Sequence, residues 1–164
     1  MTNFVPTPKK LEIKSEEKNK IKCAIITHNP KWQKHTEVFA DYFNKAHSIN
    51  LMYESGGIEL FECSDMLNGK YRIEISDVVS IFSSDSEGIL YALATIMQIL
   101  DVNEYGEILS ESICVDDYPD KDYRGIMVDL GREWHPFDKL LRYVDICFLY
   151  IIKYLILHFT DTKL

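Results

Sequence analysis

The chain has 164 residues, 46% hydrophobic and 27% charged, with seven glycines and five prolines. That length and composition accommodate one well-cored domain and part of a second, and exclude a disordered or fibrous protein. Eighteen basic against twenty-six acidic side chains leave a formal charge of −8, which repels phosphate backbones and provides no basic stripe for nucleic acid.

Residues 1–10 lack the apolar core of a signal peptide. The longest apolar stretch, 144–159, is interrupted by Asp145 and Lys153 and falls short of the roughly 20 residues a membrane helix needs. A cytoplasmic protein with no membrane partner is the expectation. Leu11 and Ile13 begin an alternating strand, residues 15–20 read as a charged turn, and 23–27 form a compact apolar strand. After Pro30 the positions Trp32, His35, Phe39, Tyr42, Phe43 and Ala46 recur at intervals of three and four, which predicts a first helix over 32–46. Ser55, Gly56 and Gly57 break the chain before a strand at 58–63, the Asn68–Gly69 pair introduces the alternating Tyr71, Ile73 and Ile75, and 78–82 supplies another strand. Residues 83–86 offer N-caps for a second helix over 87–100, whose inward stripe is Ile89, Leu93, Ile96, Met97 and Leu100. A strand follows at 108–115.

Each helix has one apolar stripe while the strands alternate, so both helices are expected on the same face of one sheet. Residues 116–120 read as a polar junction containing Pro119, dividing the chain into a small domain at 1–117 and a remainder at 118–164. The remainder reads as one strand-helix-strand unit: a strand at 123–129, a helix with Leu140, Leu141, Val144, Cys147, Phe148 and Ile151 inward, and a nearly uniformly apolar strand at 154–159 of the type buried on both faces.

Chemistry-bearing clusters are few. Cys23, Cys63, Cys114 and Cys147 stand singly without CxxC spacing, the pattern of reduced, packed thiols. His28, His35, His47 and His135 share no metal-ligand spacing, and HExxH does not occur. No metal and no cofactor is expected.

The segment Tyr123-Arg124-Gly125-Ile126-Met127-Val128-Asp129, followed by Gly131-Arg132, Pro136 and Leu157-His158-Phe159-Thr160-Asp161, resembles the opening of the catalytic barrel of glycoside hydrolase family 20, the β-N-acetylhexosaminidases. Upstream, Val79-Ser80-Ile81 with Gly88, Tyr91, Thr95 and Leu100 is similar to the family's small α/β domain. The resemblance implies an α+β chain: a sheet with two helices on one face, then the truncated start of a (β/α)8 barrel. It also implies removal of terminal N-acetylhexosamine from glycans by substrate-assisted retaining catalysis, in which the substrate's acetamido oxygen attacks the anomeric carbon. Arg132 matches the family arginine that binds sugar hydroxyls, and Asp161 the carboxylate supporting the hydrogen-bond network near the general acid. Such positions suit a parallel barrel, whose sites lie at the C-terminal ends of strands.

Arg124 and Asp129 match family positions read as scaffolding with paired charges, and His158 is read as a packed strand residue. The family's adjacent Asp-Glu pair follows the fourth barrel strand, so no catalytic residue falls before Leu164, and these residues alone are expected to be inactive. Asp116-Asp117 is no substitute, because it lies in the junction. The chain departs from the family pattern at Glu133, Trp134 and His135, at Ile156, and at Thr162, Lys163 and Leu164. Two other readings are a free-standing non-catalytic α/β interaction module and a fragment of family 84; Val128-Asp129-Leu130-Gly131-Arg132 argues against the latter. A two-stranded barrel remnant leaves apolar side chains without neighbours, so self-association through it is expected.

Overall fold

The computed structural model describes residues 4–160, which fall into two compact units dividing after Pro119. The first unit contains, in chain order, β1 (Lys10–Ile21), β2 (Ile25–Thr27), α1 (Gln33–His47) led in by a 3₁₀ turn at Pro30–Trp32, β3 (Ile58–Glu62), β4 (Tyr71–Ile75), β5 (Val79–Ser83), α2 (Ser86–Ile99), β6 (Asp101–Val102) and β7 (Ile108–Asp117). The strands build one seven-stranded sheet in the order β1-β7-β4-β5-β3-β2, with β6 paired beside β7. β2, β3 and β5 run parallel to one another, and the other pairings are antiparallel.

The alternation read from the sequence decides which face is dry. Leu60, Ile81, Ile73 and Val115 stand side by side on neighbouring strands and are fully buried. α2 packs on β4 and β5, α1 packs on β2, and the helices pack on each other, so both cover this one face as expected. α1 buries Thr36, Phe39, Ala40 and Phe43, with Trp32 of the preceding 3₁₀ turn buried beside them, a stripe displaced from the predicted one, which included Ala46; Ala46 is exposed. α2 buries Gly88, Ile89 and every residue from Tyr91 to Ile96, because it lies against both the sheet and α1. Each large apolar side chain sealed here contributes about 1.5–3 kcal/mol. The other face carries a row of Phe61, Phe82, Arg72 and Asp116, in which Phe61 stacks between His28 and Phe82 at ring separations of 4.6 and 5.4 Å.

Asp85 fixes the start of α2 twice over. Its Oδ1 accepts the Gly88 N–H at 2.7 Å, capping the helix, while Oδ2 accepts the Gly69 N–H at 2.8 Å, tying the Asn68–Gly69 turn to it. Gly69 has φ +72°, in the left-handed region that glycine enters without a Cβ penalty.

Two readings need correction here, and one strand was not foreseen. Residues 15–20 are not a turn: they lie within the twelve-residue β1, antiparallel to β7 at one edge of the sheet, with β2 at the opposite edge. Register shifts between Ile13 and Lys18 absorb extra residues, and Lys18 and Lys20 pair with Asp101 and Glu107. An exposed edge strand has no buried face to impose alternation, and its charges discourage pairing with other chains. β6 carried no recognisable pattern because it has only two residues. Asp116 and Asp117 are strand residues and not part of a junction. Asp116 pairs with Lys70 at 2.9 Å and Arg72 at 2.8 Å. Burial opposes its ionisation, but the hydrogen bonds from Arg72 and Lys70 outweigh that and hold its carboxyl below the usual range. Asp117, on the opposite face, is buried and accepts from the Tyr71 hydroxyl at 2.9 Å and the Lys9 N–H at 3.1 Å. Burial, then the Asp117 charge, push the Tyr71 hydroxyl far above its ordinary pKa, so it remains a donor.

The second unit holds β8 (Gly125–Asp129), α3 (Phe137–Leu149) and β9 (Tyr154–His158), with β8 and β9 paired in parallel as one βαβ unit. It is the start of a barrel. Of the inward stripe expected of α3 only Ile151 is buried, and it lies beyond the end of the helix; no residue of the helix itself is buried, and Leu141 and Val144 are 49% and 51% exposed. β9 alternates instead of being buried on both faces, with Leu155 and Leu157 half-buried and Tyr154 and Ile156 exposed. Two strands make too narrow a sheet to bury an entire helical stripe or both of their own faces.

Candidate functional site

In a parallel pair, residues in register share a face. β8 and β9 align Ile126 with Leu155 and Val128 with Leu157 on one face, and Met127 with Ile156 and Asp129 with His158 on the other. The last of these pairs puts a carboxylate and an imidazole together at the C-terminal ends of the strands, where parallel barrels build their sites. The backbone closes the end of the pair, since the Leu130 and Gly131 N–H groups donate to the His158 carbonyl at 2.8 and 3.0 Å.

Asp129 is the hub of this end. Its Oδ1 accepts the N–H groups of Gly131 and Arg132, each at 3.1 Å, and faces His158 Nδ1 at 3.3 Å; its Oδ2 faces Arg132 Nε at 3.3 Å. The His158 hydrogen bond, partly opposed by burial and aided by the Arg132 N–H, holds the Asp129 carboxyl below the usual carboxylate range. It is therefore an anion at neutral pH. Arg132 projects from the loop after β8 with 78% of its side chain exposed. A guanidinium there is a planar, permanently charged donor suited to paired hydroxyls.

Arg124 occupies the opposite, N-terminal end of β8. It donates from Nε to the Ile151 carbonyl at 2.9 Å and from its terminal amino group to the Lys121 carbonyl, while its own carbonyl accepts the Lys153 and Tyr154 N–H groups at 2.8 and 3.0 Å. These contacts join the start of β8 to the turn after α3, while Asp129 takes its partners at the far end of the strand. His158 is not a packed strand residue; it is exposed and bound to Asp129. Sequence reasoning missed this contact, because alternation gives the face of each residue but not the register that sets Asp129 opposite His158.

Of the two site residues read from the sequence, Arg132 lies at the strand ends and Asp161 lies outside the described residues. Among the described residues no cluster of three or more His, Cys, Asp or Glu side chains could hold a metal ion. Asp116 and Asp117 point to opposite faces of the first unit's sheet, each tied to its own partners. They do not form an acid/base pair.

The profile described as glycosyl hydrolase family 20, domain 2, matches residues 1–117, and that of the family's catalytic domain matches residues 122–163. The chain is 33% identical over 97 residues to the N,N'-diacetylchitobiase of Vibrio harveyi, covering 58% of this chain and 11% of that protein. It is 30% identical over 96 residues to beta-hexosaminidase 1 of Coccidioides posadasii, covering 57% of this chain and 16% of that protein. Among solved structures, an exo-β-N-acetylglucosaminidase of Vibrio harveyi superposes with a TM-score of 0.91 at 21% identity, over 96% of this chain and 25% of its own. A β-N-acetylhexosaminidase of Bacteroides fragilis superposes with a TM-score of 0.84 at 18% identity, over 98% of this chain and 34% of its own. At these identities the structural likeness is one of fold. The chain spans between 11% and 34% of the length of these four relatives.

Proposed function

The chain belongs to glycosyl hydrolase family 20, with that family's domain 2 followed by the opening of its catalytic domain, and from that premise we propose that the protein containing it removes terminal N-acetylhexosamine from glycans by substrate-assisted retaining hydrolysis. The observation that supports this reading best is the placement of Arg132 at the C-terminal end of β8, beside Asp129 and His158. There its guanidinium binds hydroxyls of the terminal sugar, and Asp161, one loop further on, supports the hydrogen-bond network of the same site. The acid/base Glu and the Asp that orients the acetamido group lie on barrel strands outside these residues. The substrate class is supported by the names of the relatives, a chitobiase and hexosaminidases. All four cysteines are free thiols, which supports a cytoplasmic location. As an isolated polypeptide, residues 1–164 pair through the exposed apolar side chains of the second unit.

The test is the stereochemistry of the complete protein on a chromogenic N-acetyl-β-glucosaminide followed by proton NMR. The β-anomer of N-acetylglucosamine should appear first, and residues 1–164 alone should give no turnover, since general acid catalysis alone contributes about 10²- to 10⁴-fold. Inverted product from the complete protein, or turnover by residues 1–164 that vanishes in Arg132→Ala, would contradict the proposal.

A further inference from the structure

We infer that Asp129 is a positioning residue, whose carboxylate sets the conformation in which Arg132 meets the sugar. This rests on the reading of Arg132 as the sugar-binding residue. Asp129 acts through Arg132 and not on substrate. One oxygen fixes the backbone that carries Arg132, accepting the N–H groups of Gly131 and Arg132 at 3.1 Å each, and the other engages the guanidinium at Nε, 3.3 Å away. The same carboxylate meets His158 Nδ1 at 3.3 Å on the adjacent strand. A carboxylate anion only accepts, so Nδ1 carries the proton in that contact. One side chain thereby joins the turn, the arginine and the neighbouring strand.

Without such a hub, an arginine 78% exposed would have to surrender its rotamer freedom at each binding event, which weakens binding. The acidic residue at the end of β8 is therefore more than barrel scaffolding. Its reach to both the backbone and the side chain of the residue three positions on explains why Asp at that spacing from Arg serves the site.

Steady-state kinetics of the complete protein test this. Asp129→Asn retains an oxygen acceptor for the Gly131 and Arg132 N–H groups but removes the charge facing Nε. It should raise KM by up to about fivefold with a smaller change in kcat, the size expected from losing one exposed ion pair. Arg132→Ala should raise KM at least as much, the double variant should lose nothing further, and Asp129→Glu should recover part of the loss. Arg132→Ala with an unchanged KM overturns the sugar-binding reading and this inference with it. An impaired Arg132→Ala beside an Asp129→Asn of unchanged KM, or additive losses in the double variant, overturns the positioning role alone. Should Asp129→Asn fail to fold, Asp129→Glu in the complete protein gives the answer, because it keeps the charge but moves it relative to the Gly131 and Arg132 N–H groups. It should raise KM by less than Arg132→Ala does, and an unchanged KM beside an impaired Arg132→Ala overturns the inference.

Discussion

Expressed by themselves, residues 1–164 are expected to self-associate, whereas residues 1–119 are expected to sediment as a monomer. The difference lies in the second unit. Met127 and Ile156, on the face shared with Asp129 and His158, are 64% and 42% exposed, and Phe137, Leu141, Val144 and Ile146 of α3 are exposed as well. A large apolar side chain left fully in water forgoes about 1.5–3 kcal/mol, so several together outweigh much of the roughly 5–15 kcal/mol that holds an ordinary domain folded. β8 and β9 also each have an unpaired edge within their two-stranded sheet, and edges recruit strands. In a catalytic domain of family 20 the remaining barrel strands and helices would satisfy both demands; in isolation a second copy is the available partner. Sedimentation velocity over a tenfold range of concentration reads the outcome. A clean monomer with a protease-resistant second unit would show that this surface is satisfied within one chain and would refute the expectation.

The largest single-residue loss of stability is expected from Trp32→Ala. Trp32 is 2% exposed and is the largest of the fully buried side chains; it ends the 3₁₀ turn that leads into α1. Removing a buried Trp costs about 3–5 kcal/mol, because the transfer energy is lost and a cavity remains. Measured against a total of roughly 5–15 kcal/mol, that leaves the first unit marginal at 37 °C. Urea unfolding of residues 1–119 should show the midpoint falling with little change in the slope. A loss below about 1 kcal/mol, the range of surface substitutions, would mean that α1 is not packed as described.

Much of this fold was legible before any coordinates. Strands β3, β4 and β5 announced themselves because each presents one face to the helices, so Ile58 and Leu60, Tyr71 and Ile73, and Val79 and Ile81 had to alternate with polar or half-exposed neighbours. Both helices were legible for the same reason. β1 was not, because nothing packs on it tightly enough to impose a period, and its charged run looks like a turn. Asp116 and Asp117 looked like a junction because two adjacent carboxylates have no local reason to sit in a strand; their reasons are Arg72, Lys70 and Tyr71, more than forty positions away in sequence. In the second unit the motif pointed to Arg132. The partnership of Asp129 with His158 depends on the parallel register of β8 and β9, which pattern alone does not reveal. The exposure of α3 was hidden in a different way, since an apolar stripe announces that a helix seeks cover without saying where the cover comes from.

The central claim is that the C-terminal ends of β8 and β9 form part of a site for a terminal N-acetylhexosamine, with Arg132 as the residue that grips it. A crystal structure of the complete protein with N-acetylglucosamine bound measures this most directly. The account predicts Arg132 guanidinium N–H groups within about 2.7–3.2 Å of sugar hydroxyl oxygens, with Asp129 still engaging Arg132 Nε. A sugar bound in the barrel with Arg132 out of hydrogen-bonding reach, or bound away from these strand ends altogether, would contradict it.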